Sequence, residues 1–333
     1  MRPDLSLTRV PMTLAAAALL AAAACAADPA DGDTATTTTA PGTDDGSSGT
    51  PGTDTGSGDT SSGDTSSETT GVPGACAGPL GSGNAPIFEQ PPGRFALLVV
   101  DSYKTLRGFI SDGPRVEFHQ ESAQDGACRL LTYTASTCTP TCTAPAVCIA
   151  GACVTEPSGV SAGAVTLRGV GEDDIAVAED GLHNYFWDGQ GGPAPTMPGL
   201  TAAGADVPAF DLEVCPSTSA TPDGDWSALL EARAPGEPVL LTWSDPLDDA
   251  RIDLRMTTGI GTHGGISPVE IECEGPDVGA LELPGDFLDA LYAEGWACGE
   301  CGGNDLIRYY ADETDDGGVQ LRSESVTNFW FIP

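Results

Sequence analysis

Basic residues are scarce in this chain. Its 333 residues hold 13 Lys and Arg against 49 Asp and Glu, a formal net charge of −36 at pH 7, and Lys104 is the one lysine. A surface charged this way repels a phosphate backbone, which excludes a nucleic-acid partner. Histidine is nearly as rare, with only His119, His183 and His263. A metal centre built on imidazole would need two of these and a carboxylate gathered by the fold. The apolar run Met12 to Ala24 falls short of the roughly 20 residues that a spanning helix needs. Segments with a helical period are also few, so helices are not expected to build the core.

The N-terminus is the most informative part. Arg2 and Arg9 precede the apolar run, and Ala22, Ala23 and Ala24 lead into Cys25. Residues 1–24 read as a secretory signal. The junction resembles a bacterial lipobox, with Ala22 where Leu is usual. The resemblance implies cleavage before Cys25 and acylation of its sulfur. From Cys25 to Gly74 the chain is Thr, Ser, Gly, Asp and Pro with almost no apolar side chains. Such a segment cannot offset its ordering entropy by burial and is expected to be a disordered tether. Its root-mean-square reach is roughly 35–42 Å. The first 74 residues carry 2 Arg and 10 Asp or Glu, which leaves −28 on the remaining body.

Eleven cysteines are present, and setting Cys25 aside leaves an even ten: Cys76, Cys128, Cys138, Cys142, Cys148, Cys153, Cys215, Cys273, Cys298 and Cys301. In an exported protein these are expected to form disulfides. Spacing alone leaves their connectivity open. No histidine lies near the bunched cysteines, which favours bridges over zinc. The stretch Cys138 to Cys153, CTPTCTAPAVCIAGAC, resembles a small EGF-like or dickkopf-like cysteine knot. That resemblance implies pairing of Cys138 with Cys148 and of Cys142 with Cys153.

The body alternates with period two. Ile252, Leu254 and Met256 share one face of a strand, with Arg251, Asp253 and Arg255 on the other. Val269 to Cys273 repeats the pattern, so outward Glu270 and Glu272 would face Arg251 and Arg255 across a ladder. Further strands are expected at 95–100, 115–119, 129–134, 164–168, 184–187, 210–215, 239–243, 280–283, 306–311 and 319–323. One helix is expected at 286–293, with Asp286 as N-cap and Gly295 as terminator. The fold class is mostly β, with one large or two packed β-sandwich domains. The organisation is a first β region at 75–135, the cysteine-rich insert at 136–156 and a β-sandwich region at 157–333.

Segments in order along this body are Gly163-Ala164-Val165-Thr166-Leu167, Ala203 to Phe210, Leu240-Leu241-Thr242-Trp243, Ile271-Glu272-Cys273 and Pro284 to Leu288. Together they resemble predicted surface lipoproteins of myxobacteria, over most of residues 90–325. The resemblance implies an anchor, a tether, a cysteine-rich insert and a β-rich body, and it brings no catalytic residues.

Four constellations bear on chemistry. Gly159-Val160-Ser161-Ala162-Gly163 fits the G-x-S-x-G pattern of a nucleophile elbow. Strand-like residues follow it where a helix should, so it reads better as a connector. Cys298-Gly299-Glu300-Cys301 has redox spacing, but Gly302 and Gly303 after it suit a loop and a structural bridge. Tyr185, Trp187, Trp226 and Trp296 are candidate sugar-stacking platforms, with core packing the rival reading. Carboxylates gather at 172–174, at Asp223 and Asp225, and at 312–316, without matching an EF-hand loop. No cofactor is expected; Ca²⁺ is the one ion these loops would suit. The expectation is a non-enzymatic surface module, membrane-held through its lipid at the outer membrane or cell surface, with a surface protein or glycan as partner. The alternatives are an exported hydrolase or metal-dependent enzyme, and a Ca²⁺-dependent adhesin or glycan-binding module.

Overall fold

The structure is a computed structural model that describes residues 86–100, 103–190, 194–257, 266–295 and 304–329. The segments expected to be signal and tether, together with Cys25, Cys76, His263, Trp296, Cys298 and Cys301, lie outside the described residues. Residues Glu68–Pro333 form one compact unit.

The body opens with β1 (Gly93–Val100), β2 (Tyr103–Ile110), β3 (Gln120–Asp125) and β4 (Cys128–Thr132). The insert is a hairpin of β5 (Ala146–Ile149) and β6 (Ala152–Thr155). Next come β7 (Val165–Arg168), β8 (Ile175–Val177), β9 (Asn184–Gln190), β10 (Gly199–Ala202) and β11 (Phe210–Glu213). They are followed by β12 (Thr221–Pro222), α1 (Trp226–Glu231), β13 (Val239–Ser244), β14 (Arg251–Thr257) and β15 (Val269–Pro276). The last elements are β16 (Ala280–Leu283), α2 (Gly285–Ala293), β17 (Asn304–Glu313) and β18 (Val319–Phe329).

The fold is mostly β, as the alternating pattern predicts. The expected large, sandwich-like body is present: a single nine-stranded sheet, β3-β4-β15-β14-β17-β18-β1-β2-β9, backs two smaller layers. All its pairings are antiparallel except β1 with β18. Toward one end, Ile252, Leu254, Met256 and Ile271 pack with the sheet β12-β13-β16 and both helices. Toward the other, Phe95, Leu97, Leu106 and Leu321 pack with the sheet β11-β10-β7-β8. Arg308 sits at the seam on the same face. Its Nε lies 2.7 Å from Asp277 Oδ2, as an ion pair whose N–H is not aligned for a hydrogen bond. The Trp243 indole also donates to Asp277, at 2.7 Å.

Several expectations need correction. The segment 115–119 is not a strand but part of the connection from β2 to β3. Pro284, not Asp286, is the N-cap of α2, and Asp286 lies in its first turn. The acidic stretch at Asp223 and Asp225 leads directly into α1, which Asp225 caps by accepting from Ala228 N at 3.1 Å. Most consequential, the charged side of β14 and β15 does not face water: Arg251, Asp253, Glu272 and Glu274 are all buried.

Bridges join Cys138 to Cys148 and Cys142 to Cys153 in the insert, the pairing its resemblance implies. Cys215 is also disulfide-bonded. Cys128 and Cys273 sit opposite each other on β4 and β15, bridge 145 residues of chain and are fully buried in the first core. A loop this long loses much unfolded-state entropy when closed. Cys128→Ala/Cys273→Ala is expected to cost about 2–5 kcal/mol, read by calorimetry as a Tm lowered by roughly 5–15 °C. An unchanged Tm would show that the bridge contributes nothing beyond packing.

Candidate binding groove

The second face of the nine-stranded sheet is built from charges. Alternation within each strand and the cross-strand registers put Arg129, Glu272, Arg255, Asp253, Glu274, Arg251, Tyr309, Arg322, Glu324, Arg94 and Arg107 on it. Two stretches of non-regular chain cover this face. Residues 86–92 form a strap: Ile87 N donates to Glu274, Phe88 lies under the Arg129 guanidinium at 4.6 Å, and Gln90 accepts from Arg94 at 2.7 Å. Residues 111–119 join β2, next to one end of the sheet order, to β3 at the other end, and also reach this face. Along that connection Arg115 stacks on Phe109 at 4.5 Å and Glu117 comes within 3.6 Å of Arg129.

Charges removed from water must be paired and hydrogen-bonded. Glu274 accepts from Arg251 Nε at 2.5 Å and Nη2 at 2.7 Å, from the Tyr309 hydroxyl at 2.7 Å, and from Ile87 N. Burial disfavours the Arg251 cation, yet Glu274 outweighs it and holds the guanidinium pKa above its ordinary value. Burial pushes the Tyr309 hydroxyl up, so it stays a donor. Arg322 stacks on Tyr309 at 4.1 Å; burial and the nearby Arg94 cation lower its pKa. Glu272 serves two cations, Arg129 at 2.7 and 2.5 Å and Arg255 at 2.9 Å.

Between strap, connection and sheet lies a groove of about 1040 Å³. Five arginines line it, Arg94, Arg107, Arg115, Arg129 and Arg255, with Glu89 and Glu117 as the lining carboxylates. Phe88, Phe109 and Phe186 add aromatic surface. In one cross-strand row stand Ala96, Arg107 and Phe186, and in the next Arg94, Phe109 and Asn184. The short Ala96 side chain leaves the floor low between the guanidiniums. No motif announces this groove in the sequence, where its arginines are dispersed between residues 94 and 255; they come together only in the fold.

The constellations read from sequence fall elsewhere or come apart. Ser161 is buried, and its Oγ accepts from Gly163 N at 3.0 Å. His183 Nδ1 meets Glu179 Oε2 at 3.0 Å, and the same carboxylate takes hydrogen bonds from Tyr185 at 3.1 Å and from Ser161. The His183 bond and then the Ser161 bond lower the Glu179 pKa. The carboxylate therefore stands between imidazole and hydroxyl, whereas a nucleophile needs the base next to it. Nor does a helix follow Ser161, since β7 does. His119 bonds to the Ser267 carbonyl at 2.8 Å and lies 3.4 Å from Glu270.

Of the expected sugar platforms, Tyr185 and Trp226 are core residues, Trp226 packing edge-on to Trp243 and Phe329. Trp187 packs against the second core. Of the acidic clusters, Asp225 caps α1, and Asp312, which lies in β17 rather than a loop, accepts from Glu213 N and Glu313 N, both at 3.0 Å. Asp316 accepts from Gly318 N at 3.0 Å and from the Thr314 hydroxyl at 2.6 Å. Among the described residues, the one group whose metal-ligating atoms converge is Cys138, Cys142 and Cys153, all held in disulfides.

Removing one partner from the buried ion pair strands the other. Arg251→Met is expected to destabilise the body by about 3–5 kcal/mol in urea unfolding, and Arg251→Met/Glu274→Leu to recover part of that loss. A double variant as unstable as the single would mean that Glu274 is not the stranded group.

Compared with known proteins, the chain matches no protein-family model and no curated protein.

Proposed function

We propose that this chain is an exported, lipid-anchored protein of the cell envelope whose body is a non-enzymatic binding module at the outer membrane or cell surface. The groove carries the reading. A space of about 1040 Å³, with charged and aromatic side chains converging on it, is of the size and chemistry of ligand sites. The lipobox-like junction at Cys25 and the polar tether supply the anchor, and the bridged cysteines suit an oxidising compartment. Against a serine hydrolase stands the order of the Ser161 cluster, in which Glu179 separates the hydroxyl from His183. The binding partner is a surface protein or a glycan.

Two measurements test this reading. Full-length protein is expected to enter the detergent phase on Triton X-114 partition, and Cys25→Ala to move to the aqueous phase. Identical partition of the two would remove the lipid anchor. An esterase, peptidase and glycosidase panel with and without EDTA is expected to give no turnover. Turnover abolished by Ser161→Ala would replace the binding module with an enzyme.

A further inference from the structure

The arginines of the groove are not equivalent. Arg94 is taken by Glu324, and Arg129 and Arg255 share Glu272. Arg107 and Arg115 are exposed, and among the described residues neither has a carboxylate partner. In a chain with 49 acidic and 13 basic residues, two guanidiniums left without a carboxylate beside one groove are conspicuous. Phe186 stands next to Arg107 in the cross-strand row and is 57% exposed, unlike most large apolar residues of this sheet. Phe109 already serves as a stacking surface for Arg115. Unpaired guanidiniums beside an exposed aromatic face recognise an anion on a carrier with an apolar side.

We propose that the groove binds a carboxylate ligand, with Arg107 and Arg115 holding the carboxylate and Phe186 and Phe109 contacting its carrier. Glu89 and Glu117 at the rim disfavour ligands of high charge density, so a single carboxylate per binding unit suits the site better than a polyphosphate. Two kinds of molecule offer this chemistry: an acidic saccharide, whose sugar ring has an apolar face, and a long-chain fatty acid. The inference rests on the body being a binding module. Detergent partition reads the anchor alone and the assay below reads the groove alone, so either can fail without the other.

The probe is 1-anilinonaphthalene-8-sulfonate, an aromatic sulfonate, titrated into the full chain by fluorescence. Saturable binding is expected, with a Kd raised at least tenfold in Arg107→Gln/Arg115→Gln. Both positions are exposed, and glutamine keeps part of the aliphatic stem, so Tm should stay unchanged. Arg168→Gln, whose partner is Asp211 away from the groove, should leave the Kd as it was. Galacturonate, a sugar with a single carboxylate, displacing the probe would make the carrier a sugar; laurate displacing it would make it a fatty chain. An unchanged Kd in the double variant, or displacement by neither carboxylate, overturns the proposal.

Discussion

Glu274 is the group on which this architecture turns. Its carboxylate is buried, and four donors from three parts of the chain converge on it: two from Arg251 on β14, the Tyr309 hydroxyl on β17 and the Ile87 amide of the strap. A carboxylate so placed is tolerable only with its lone pairs filled and an opposite charge beside it. The need is local, but meeting it fixes chain at a distance. Once Ile87 is held there, Phe88 falls under Arg129 and Gln90 meets Arg94, and the chain enters β1 at Gly93. The same strap then forms a wall of the groove.

A sheet whose middle strands are buried on both faces explains what the sequence reveals and what it hides. The apolar side of β14 and β15 is legible because Ile252, Leu254, Met256 and Ile271 alternate with charges. Their charged side reads wrongly as solvent-facing, since period two reports that the faces differ and not what covers each. The strand β2 is hidden for a different reason. Gly108 interrupts its alternation and reads as a turn, yet a Cβ there would lie 2.1 Å from the Phe95 ring. Glycine is present so that an aromatic from the neighbouring strand can lie across it. The edge strand β3 has almost no apolar residues and is broken by an irregular pairing between Glu121 and Ala123, so no pattern marks it. In β18 the apolar alternation fades after Leu321, while the strand runs to Phe329 through Ser323 and Ser325. Both serines are buried, beside Ser217, which bonds to the Arg308 carbonyl.

The groove is less legible than the fold. Its residues come from β1, β2, β4, β9, β14, the strap and the β2–β3 connection, so no short window of sequence contains them. Sequence reasoning looks to residues whose identity implies chemistry, namely Ser161, the histidines and the Cys298–Cys301 pair. Arginine carries no such implication alone. Its meaning here comes from register, which puts six of the ten arginines beyond residue 74 on one face of one sheet.

That segregation gives the body two electrostatic ranges. At long distance a chain of net charge −36 repels anions, but over more than about 8 Å this repulsion is largely screened at physiological ionic strength. Within the groove Arg107 and Arg115 act at contact distance, well inside that screening length. For the proposed site, an approaching anion feels the acidic exterior only within that screening length, where a polyanion is disfavoured more than a single carboxylate. Selectivity of this kind arises from a difference between two affinities and needs no closing lid. For the proposed carboxylate site, the acidic exterior governs the approach and the arginines govern what is retained.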